Sequence, residues 1–310
     1  MKNLITGGTG SIGREIVFQL LAANEKVICF DRNEEKAFYL EKEIKEKFPD
    51  ANFQIVLGDI TNQRRVRDVI RMFKPDVVYH TAANKHVPLG EGNVKEFVRN
   101  NIQGTINVVT TCESFNSKIV LISTDKAVEP SSVMGYTKRM CELYILDLRP
   151  KKFTICRFGN IAGSSGSVLE LFEQQAKTGV IKVTHPDMER YFILGKQAVS
   201  NLIQCSKLES GLYGFNMGKP AKINELALKF NLPIEYIGLR PGEKIKEKLL
   251  YDFETTLDVP AYDEYNDIYK INPGHIKPWT HIDIYELATN AENMTDEEII
   301  NKFKEINNEL

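Results

Sequence analysis

Thr124, Asp125 and Lys126 place a hydroxyl, a carboxyl and an amine side by side at the end of an apolar run, Ile119 to Ser123. Those groups can hold an oxygen, deliver a proton and accept one, which are the parts of general acid–base chemistry. Pro130 follows, then a helical stretch beginning near Met134. Lys138 lies four residues along it, on the same side as Met134. The same residue types also cap helices in ordinary strand-to-helix loops, so the bland alternative stands beside the chemical one. A second polar group, Thr81-Ala82-Ala83-Asn84-Lys85-His86, follows another apolar run, Val77 to His80.

Leu4-Ile-Thr-Gly7-Gly-Thr-Gly10-Ser-Ile-Gly13 follows the first strand-like run and opens the first helical one. Glycines at 7, 10 and 13 suit a tight turn, close approach of backbone to a pyrophosphate, and close packing of helix on strand. Asp31 ends the second run, 18 residues past Gly13, where an acid can bond ribose hydroxyls and repel a 2′-phosphate. That favours NAD over NADP, although Arg32 could pair with such a phosphate. Asp59, in Gly58-Asp59-Ile60, is placed for the adenine edge or for a helix cap. The expected NAD contacts are Gly7, Thr9, Gly10, Ser11, Ile12, Gly13, Asp31, Arg32, Asp59, Ile60, Ala82, Ala83 and Lys138.

Elements that could position these groups read from the hydrophobic period. Lys2 to Thr6, Lys26 to Phe30, Phe53 to Leu57, Val77 to His80, Ile119 to Ser123 and Thr154 to Arg157 read as strands. Ile12 to Ala22, Glu34 to Glu46, Arg64 to Phe73, Lys95 to Cys112 and Met134 to Leu148 read as helices between them. This alternation predicts an α/β fold with a Rossmann-type doubly wound parallel sheet. The expected division is a nucleotide-binding domain over 1–160 and a smaller, mixed substrate lobe over 161–310, with some segments returning to the core. In the lobe, 163–166 reads as a flexible loop. Ser167 to Lys177, Ala198 to Lys207, Ile223 to Phe230 and a last amphipathic stretch near Asp296 to Ile306 read as helices; Val180 to Val183 reads as a short strand.

Composition narrows the function. Over 310 residues, 40 basic and 42 acidic side chains give a net charge of −2, which argues against nucleic acid as main partner. No apolar run approaches the roughly 20 residues of a membrane span. No targeting segment precedes the first strand, so a soluble, cytoplasmic protein is expected. The five cysteines and five histidines show neither CxxC nor HExxH spacing. Buried free thiols and no metal are the expectation.

Taken together, Gly7xxGly10xxGly13, Ser-Thr124-Asp125-Lys126-Ala-Val-Glu-Pro, Met134-Gly-Tyr-Thr-Lys138, Arg157-Phe-Gly-Asn160, Met188-Glu-Arg190-Tyr-Phe and Leu239-Arg240-Pro-Gly-Glu243-Lys resemble the extended short-chain dehydrogenase/reductase superfamily. Within it they look like the UDP-N-acetylglucosamine 4,6-dehydratases of polysaccharide biosynthesis. The resemblance runs from residue 2 to about 250. It implies a UDP-sugar substrate, oxidation at carbon 4 with NAD, loss of water across carbons 5 and 6, and hydride return to carbon 6. It further implies Asp125 as the acid for the leaving hydroxyl, Lys126 as the carbon-5 base and Thr124 as hydrogen-bond partner of the 4-oxygen. A base must be neutral, and burial with positive charge from Lys138 and the nicotinamide is the expected means. Lys85 is implied near the sugar, and Asn101 as a brace of the site backbone. Asn160, Arg190, Arg240 and Glu243 are implied at the nucleotide diphosphate. Relatives of this kind are commonly homodimers or larger homo-oligomers.

One departure stands out. Most of the superfamily carries a tyrosine where this chain has Met134, and a thioether cannot take a proton. Tyr136, two residues on, is about 200° around a helix and should point away. A subset of the dehydratases shares the methionine, which leaves Asp125 as the substitute base for the 4-hydroxyl. A 4-epimerase or 4-reductase needs no additional acid–base pair, so Asp125 and Lys126 argue against those. Met134 is the main support for a non-catalytic NAD-binding protein.

Overall fold

The computed structural model describes residues 1–164, 166–259 and 267–308. Ser165 of the expected 163–166 loop and part of the tail lie outside the described residues. The six expected strands form, as β1 (Lys2–Thr6), β2 (Lys26–Asp31), β3 (Phe53–Leu57), β4 (Val77–His80), β5 (Lys118–Thr124) and β6 (Phe153–Phe158). They pair in parallel in the order β3-β2-β1-β4-β5-β6. Strand order therefore reverses at β1 and β4, the place where a doubly wound sheet opens a crevice at its carboxyl edge.

Three later segments extend the same sheet. Gly211–Phe215 pairs in parallel with β6, Ile268–Asn272 pairs antiparallel with it, and Thr255–Asp258 forms the antiparallel edge. The first of these, Gly211-Leu-Tyr-Gly-Phe, carries two glycines that weaken its strand signal in the sequence.

Alternation within each strand divides the core by face. Leu4, Ile28 and Val78 join one buried cluster, with helices 63–73, 94–114, 133–148, 280–290 and 296–308. Ile5, Cys29 and Tyr79 join the other, with α1 (Ser11–Ala22), α2 (Glu34–Lys47) and Gly195–Cys205. The five cysteines are buried and free. Phe172, Ile181, Met188 and Ile223 belong to a separate small buried cluster. No described helix is long and apolar enough to cross a membrane.

The expected helix Lys95–Cys112 spans 94–114 and is not uniformly α: Val98–Gln103 is a π-helical turn. Asn101 sits in that wider turn. Its Oδ1 accepts from the Asn84 amide at 2.7 Å, and its Nδ2 donates to the Asn84 carbonyl and to Thr137 Oγ1, both at 3.0 Å. One side chain thus ties the loop after β4 to helix Val133–Leu148.

Candidate active site

The glycine loop folds as a cradle that tolerates no side chains. Gly7 has φ +69°, and a Cβ there would lie 2.8 Å from the Ala82 backbone. A Cβ at Gly13 would lie 2.3 Å from the Gly7 carbonyl oxygen. Gly10 stands at the N-cap of α1 and makes no side-chain cap hydrogen bond. Thr9 donates through its amide and hydroxyl to Asp31 Oδ2, at 3.0 and 2.8 Å, and Asn33 donates its amide to Oδ1 at 2.9 Å. Arg32 is exposed and pairs with Asp59 Oδ2 at 3.4 Å. Burial pushes the Asp59 carboxyl up, but bonds from Thr61 and Arg32 hold it below the usual range. Ile60 is buried against Gly104, and Ala82 and Ala83 are half-buried after β4.

At the end of β5, Thr124 caps the short turn Asp125–Ala127, accepting from the Lys126 amide at 3.4 Å. The segment is a capped turn, and its side chains converge. Thr124 Oγ1 and Lys126 Nζ each donate to Asp125 Oδ1 at 2.9 Å. Lys126 Nζ also donates to Asn160 Oδ1 at 2.9 Å and lies 4.0 Å from Glu247 Oε1. Three acceptors thus stand beside Lys126, two of them carboxylates. Lys138 interacts with His80, Cys141 and Glu142, and burial lowers its amine from the ordinary lysine range.

Met134 is buried in the apolar cluster at the start of Val133–Leu148. The helix presses close because position 135 is glycine: a Cβ there would meet the Lys126 carbonyl oxygen at 2.4 Å. Tyr136 stacks on Phe303, with ring centroids 5.6 Å apart, and so points away as expected.

Behind the trio lies a buried charge network that the sequence reading did not single out. Glu142 accepts from Ser123 Oγ at 2.6 Å, from Arg157 Nη2 at 2.7 Å and from Arg139 Nη1 at 3.0 Å. Arg157 also pairs with Glu254 at 2.6 Å. Burial opposes ionisation of Glu142, yet Arg157 and Arg139 hold its carboxyl down at about 2. The network fixes β5, β6 and the active-site helix relative to one another and to the segment at 254.

Lys126, alone of the trio, opens on a cavity of about 520 Å³. Lys126 and Asn160 line it, with Lys85, Arg190, Arg240 and Glu243. Burial lowers the Lys85 amine, and burial followed by Lys85 lowers the His86 imidazole. Asn160, expected at a diphosphate, accepts from Lys126 through its Oδ1 and lines the cavity. Arg190 is committed to backbone: it donates to the carbonyls of Glu189, Lys244 and Ile245 at 2.7, 2.7 and 3.0 Å. Arg240 is exposed, and Glu243 accepts from the Arg240 amide at 3.0 Å. Glu247 and Lys244 also line the cavity and were missed. The available signal was their spacing after Leu239-Arg-Pro-Gly, which carries Glu247 four residues past Glu243.

The sequence pattern of the family described as "Polysaccharide biosynthesis protein" matches residues 3–272. The capsular polysaccharide biosynthesis protein CapD of Staphylococcus aureus is 39% identical over 307 residues, covering 93% of this chain and 51% of that protein. This chain therefore spans about half the length of that relative. The UDP-N-acetylglucosamine 4,6-dehydratase (inverting) of Campylobacter jejuni is 32% identical over 285 residues, 87% of this chain and 82% of that enzyme. The X-ray structure of Pen from Bacillus thuringiensis superposes with a TM-score of 0.77 at 33% identity, covering 88% of this chain and 89% of that one. On this sequence match, and with a sheet order and glycine cradle that agree with it, the chain belongs to the polysaccharide biosynthesis protein family and has the extended short-chain dehydrogenase/reductase fold.

Proposed function

We propose that this chain is a nucleotide-sugar 4,6-dehydratase that converts UDP-N-acetylglucosamine to a UDP-4-keto-6-deoxy-N-acetylhexosamine. The observation that carries the reading is the convergence of Thr124 and Lys126 on Asp125 and of Lys126 on Asn160, with Lys126 and Asn160 lining a cavity large enough for a sugar nucleotide. The Campylobacter relative, named for that reaction, supports the choice of sugar.

The residues fit a dinucleotide. The side-chain-free cradle at Gly7 and Gly13 and the uncapped start of α1 suit a pyrophosphate, and the carboxylate of Asp31 suits ribose hydroxyls. An acid at that position favours NAD over NADP. The chemistry supplied by NAD when bound is hydride exchange with carbons 4 and 6.

The chain's own residues do the rest. Thr124 holds the 4-oxygen. Asp125 accepts the 4-hydroxyl proton, in place of the tyrosine replaced by Met134, and later delivers a proton to the departing 6-hydroxyl. Lys126 removes the carbon-5 proton, which the neighbouring ketone makes acidic. Lys85 and Arg240 offer cations to sugar and diphosphate oxygens. A 4-epimerase would leave Lys126 without a proton to move.

Incubation of the purified protein with UDP-N-acetylglucosamine in deuterated water, followed by NMR, tests this. A new 6-methyl signal with deuterium at carbon 5 is expected. Conversion to the 4-epimer with carbon 5 unlabelled rejects the dehydratase reading.

A further inference from the structure

Lys126 does not stand alone with Asp125. The segment 242–251 runs along the catalytic turn and is fastened to it at each step. Ser131 Oγ donates to the Gly242 carbonyl at 3.0 Å, Lys244 Nζ to the Val128 carbonyl at 2.8 Å, and Tyr251 OH to the Ala127 carbonyl at 3.1 Å. Lys248 pairs with Glu129 at 2.6 Å. On its other side, Arg190 grips the carbonyls of Lys244 and Ile245. A Cβ at Gly242 would lie 2.7 Å from Ser132 Cβ, so the segment approaches as closely as glycine allows.

The side chain that this fastening delivers is Glu247. Its carboxylate is 3% exposed and reaches Lys126 Nζ at 4.0 Å through Oε1. Lys244 Nζ stands 3.2 Å from Oε2, at an angle that makes an ion pair but not a hydrogen bond. A carboxylate is rarely buried without a task or a full set of partners, because its desolvation is costly.

We propose that Glu247 is a positioning residue for Lys126, one that orients the amine and stabilises the ammonium it becomes. The inference rests on the dehydratase reading. In the elimination, the proton passes from carbon 5 to Nζ, and the C–H electron pair passes into the enolate of the 4-ketone. The positive charge then created on Lys126 lies between the carboxylates of Asp125 and Glu247. The arrangement follows the general pattern in which a third group orients a base and stabilises its charged form. The other charged or titratable groups lining the same cavity are Lys244 on the same segment, Arg190 bonded to that segment's backbone, and Lys85, His86 and Lys182. The turn carrying Arg240 and Glu243 lies farther along the same wall.

Two substitutions give opposite signs. Glu247→Gln removes a negative charge beside Lys126 and should move the rising limb of the kcat–pH profile to lower pH by about one unit. Lys244→Gln removes the cation that offsets Glu247 and should move it to higher pH. Glu247→Asp keeps the charge and should keep the limb near its wild-type position. Lysine Nζ NMR titration reads the same coupling without turnover, with the Lys126 signal assigned from Lys126→Arg. Superimposable Lys126 titrations in wild type, Glu247→Gln and Lys244→Gln overturn the proposal. If Glu247→Gln does not fold, the direction of the Lys244→Gln shift decides. If the wild type converts no nucleotide sugar, the dehydratase reading fails separately, and the titration alone decides whether Glu247 governs Lys126.

Discussion

Lys126 donates to Oδ1 of Asp125, the residue before it in the chain, at 2.9 Å, and Thr124 donates to that same oxygen. One oxygen of the carboxyl thus takes both donors. The other, Oδ2, is enclosed with no hydrogen-bond partner among the described residues, and a Cβ at Gly159 would lie 3.1 Å from it. An unserved buried oxygen of this kind costs free energy unless a proton or a substrate group satisfies it.

Asp125→Asn therefore keeps the shape of the trio and removes its ability to move a proton. Turnover should fall by about 100-fold or more, while NAD affinity measured by calorimetry stays within a fewfold of wild type. Near-normal turnover in this variant would sink the acid–base assignment.

The cradle makes its own prediction. Gly13→Ala places a methyl group 2.3 Å from the Gly7 carbonyl oxygen, in backbone that cannot retreat without opening the loop. NAD affinity should drop at least about tenfold, as expected when the close approach of backbone to a pyrophosphate is lost. Titration of the cofactor into wild type and variant checks this, with circular dichroism confirming that the fold persists. Equal affinities would place the dinucleotide elsewhere.

Tyr136 offers a direct test of what replaces the missing tyrosine. Its ring stacks on Phe303, so Tyr136→Phe keeps that contact and removes only the hydroxyl. Turnover should stay within about twofold of wild type. A loss greater than about tenfold would identify Tyr136 as the base after all.

Stability should depend on the buried charges behind the site. Glu142→Ala leaves Arg139 and Arg157 without their shared partner, and removing one member of a buried pair typically costs about 3–5 kcal/mol. The pH dependence follows in sign. The folded-state value of Glu142 is about 2, below the ordinary 4.5, so its contribution is present above pH 4.5 and disappears as pH falls toward 2. Urea unfolding at a series of pH values should show wild type losing stability over that window more steeply than Glu142→Gln. Parallel slopes would mean that Glu142 is not held ionised by the arginines.

His80 adds to acid sensitivity at a higher pH. It is buried between Thr6 and Thr105, and burial, then Lys138, holds its value down at about 3 against an ordinary 6.5. Folding keeps it neutral, so stability should decline as pH falls from 6.5 toward 3, where the unfolded chain takes up the proton first. His80→Asn should flatten the decline across that interval in the same unfolding series. An unchanged slope would remove His80 from the account.

The sequence by itself determined the six parallel strands and the candidate groups at their ends. Buried parallel strands read as short apolar runs, and the glycine spacing of a phosphate cradle is local, so β1 to β6, the loop at Gly7 and the trio at Thr124 were all legible. Tyr136 pointing away followed from helical geometry alone. What tertiary structure decided is who stands beside whom across long separations. Asn160 bonds Lys126, 34 residues away, and Arg190 donates to the carbonyls of Lys244 and Ile245, 54 and 55 residues away. The strand Gly211–Phe215, weakened by its glycines, exists because β6 offers it an edge. The carboxylates of Glu142 and Glu247 carry no periodicity that marks them as buried. Their significance comes from the arginines and lysines that folding brings within about 4 Å, a distance at which charge interactions in a desolvated interior govern which proton states exist.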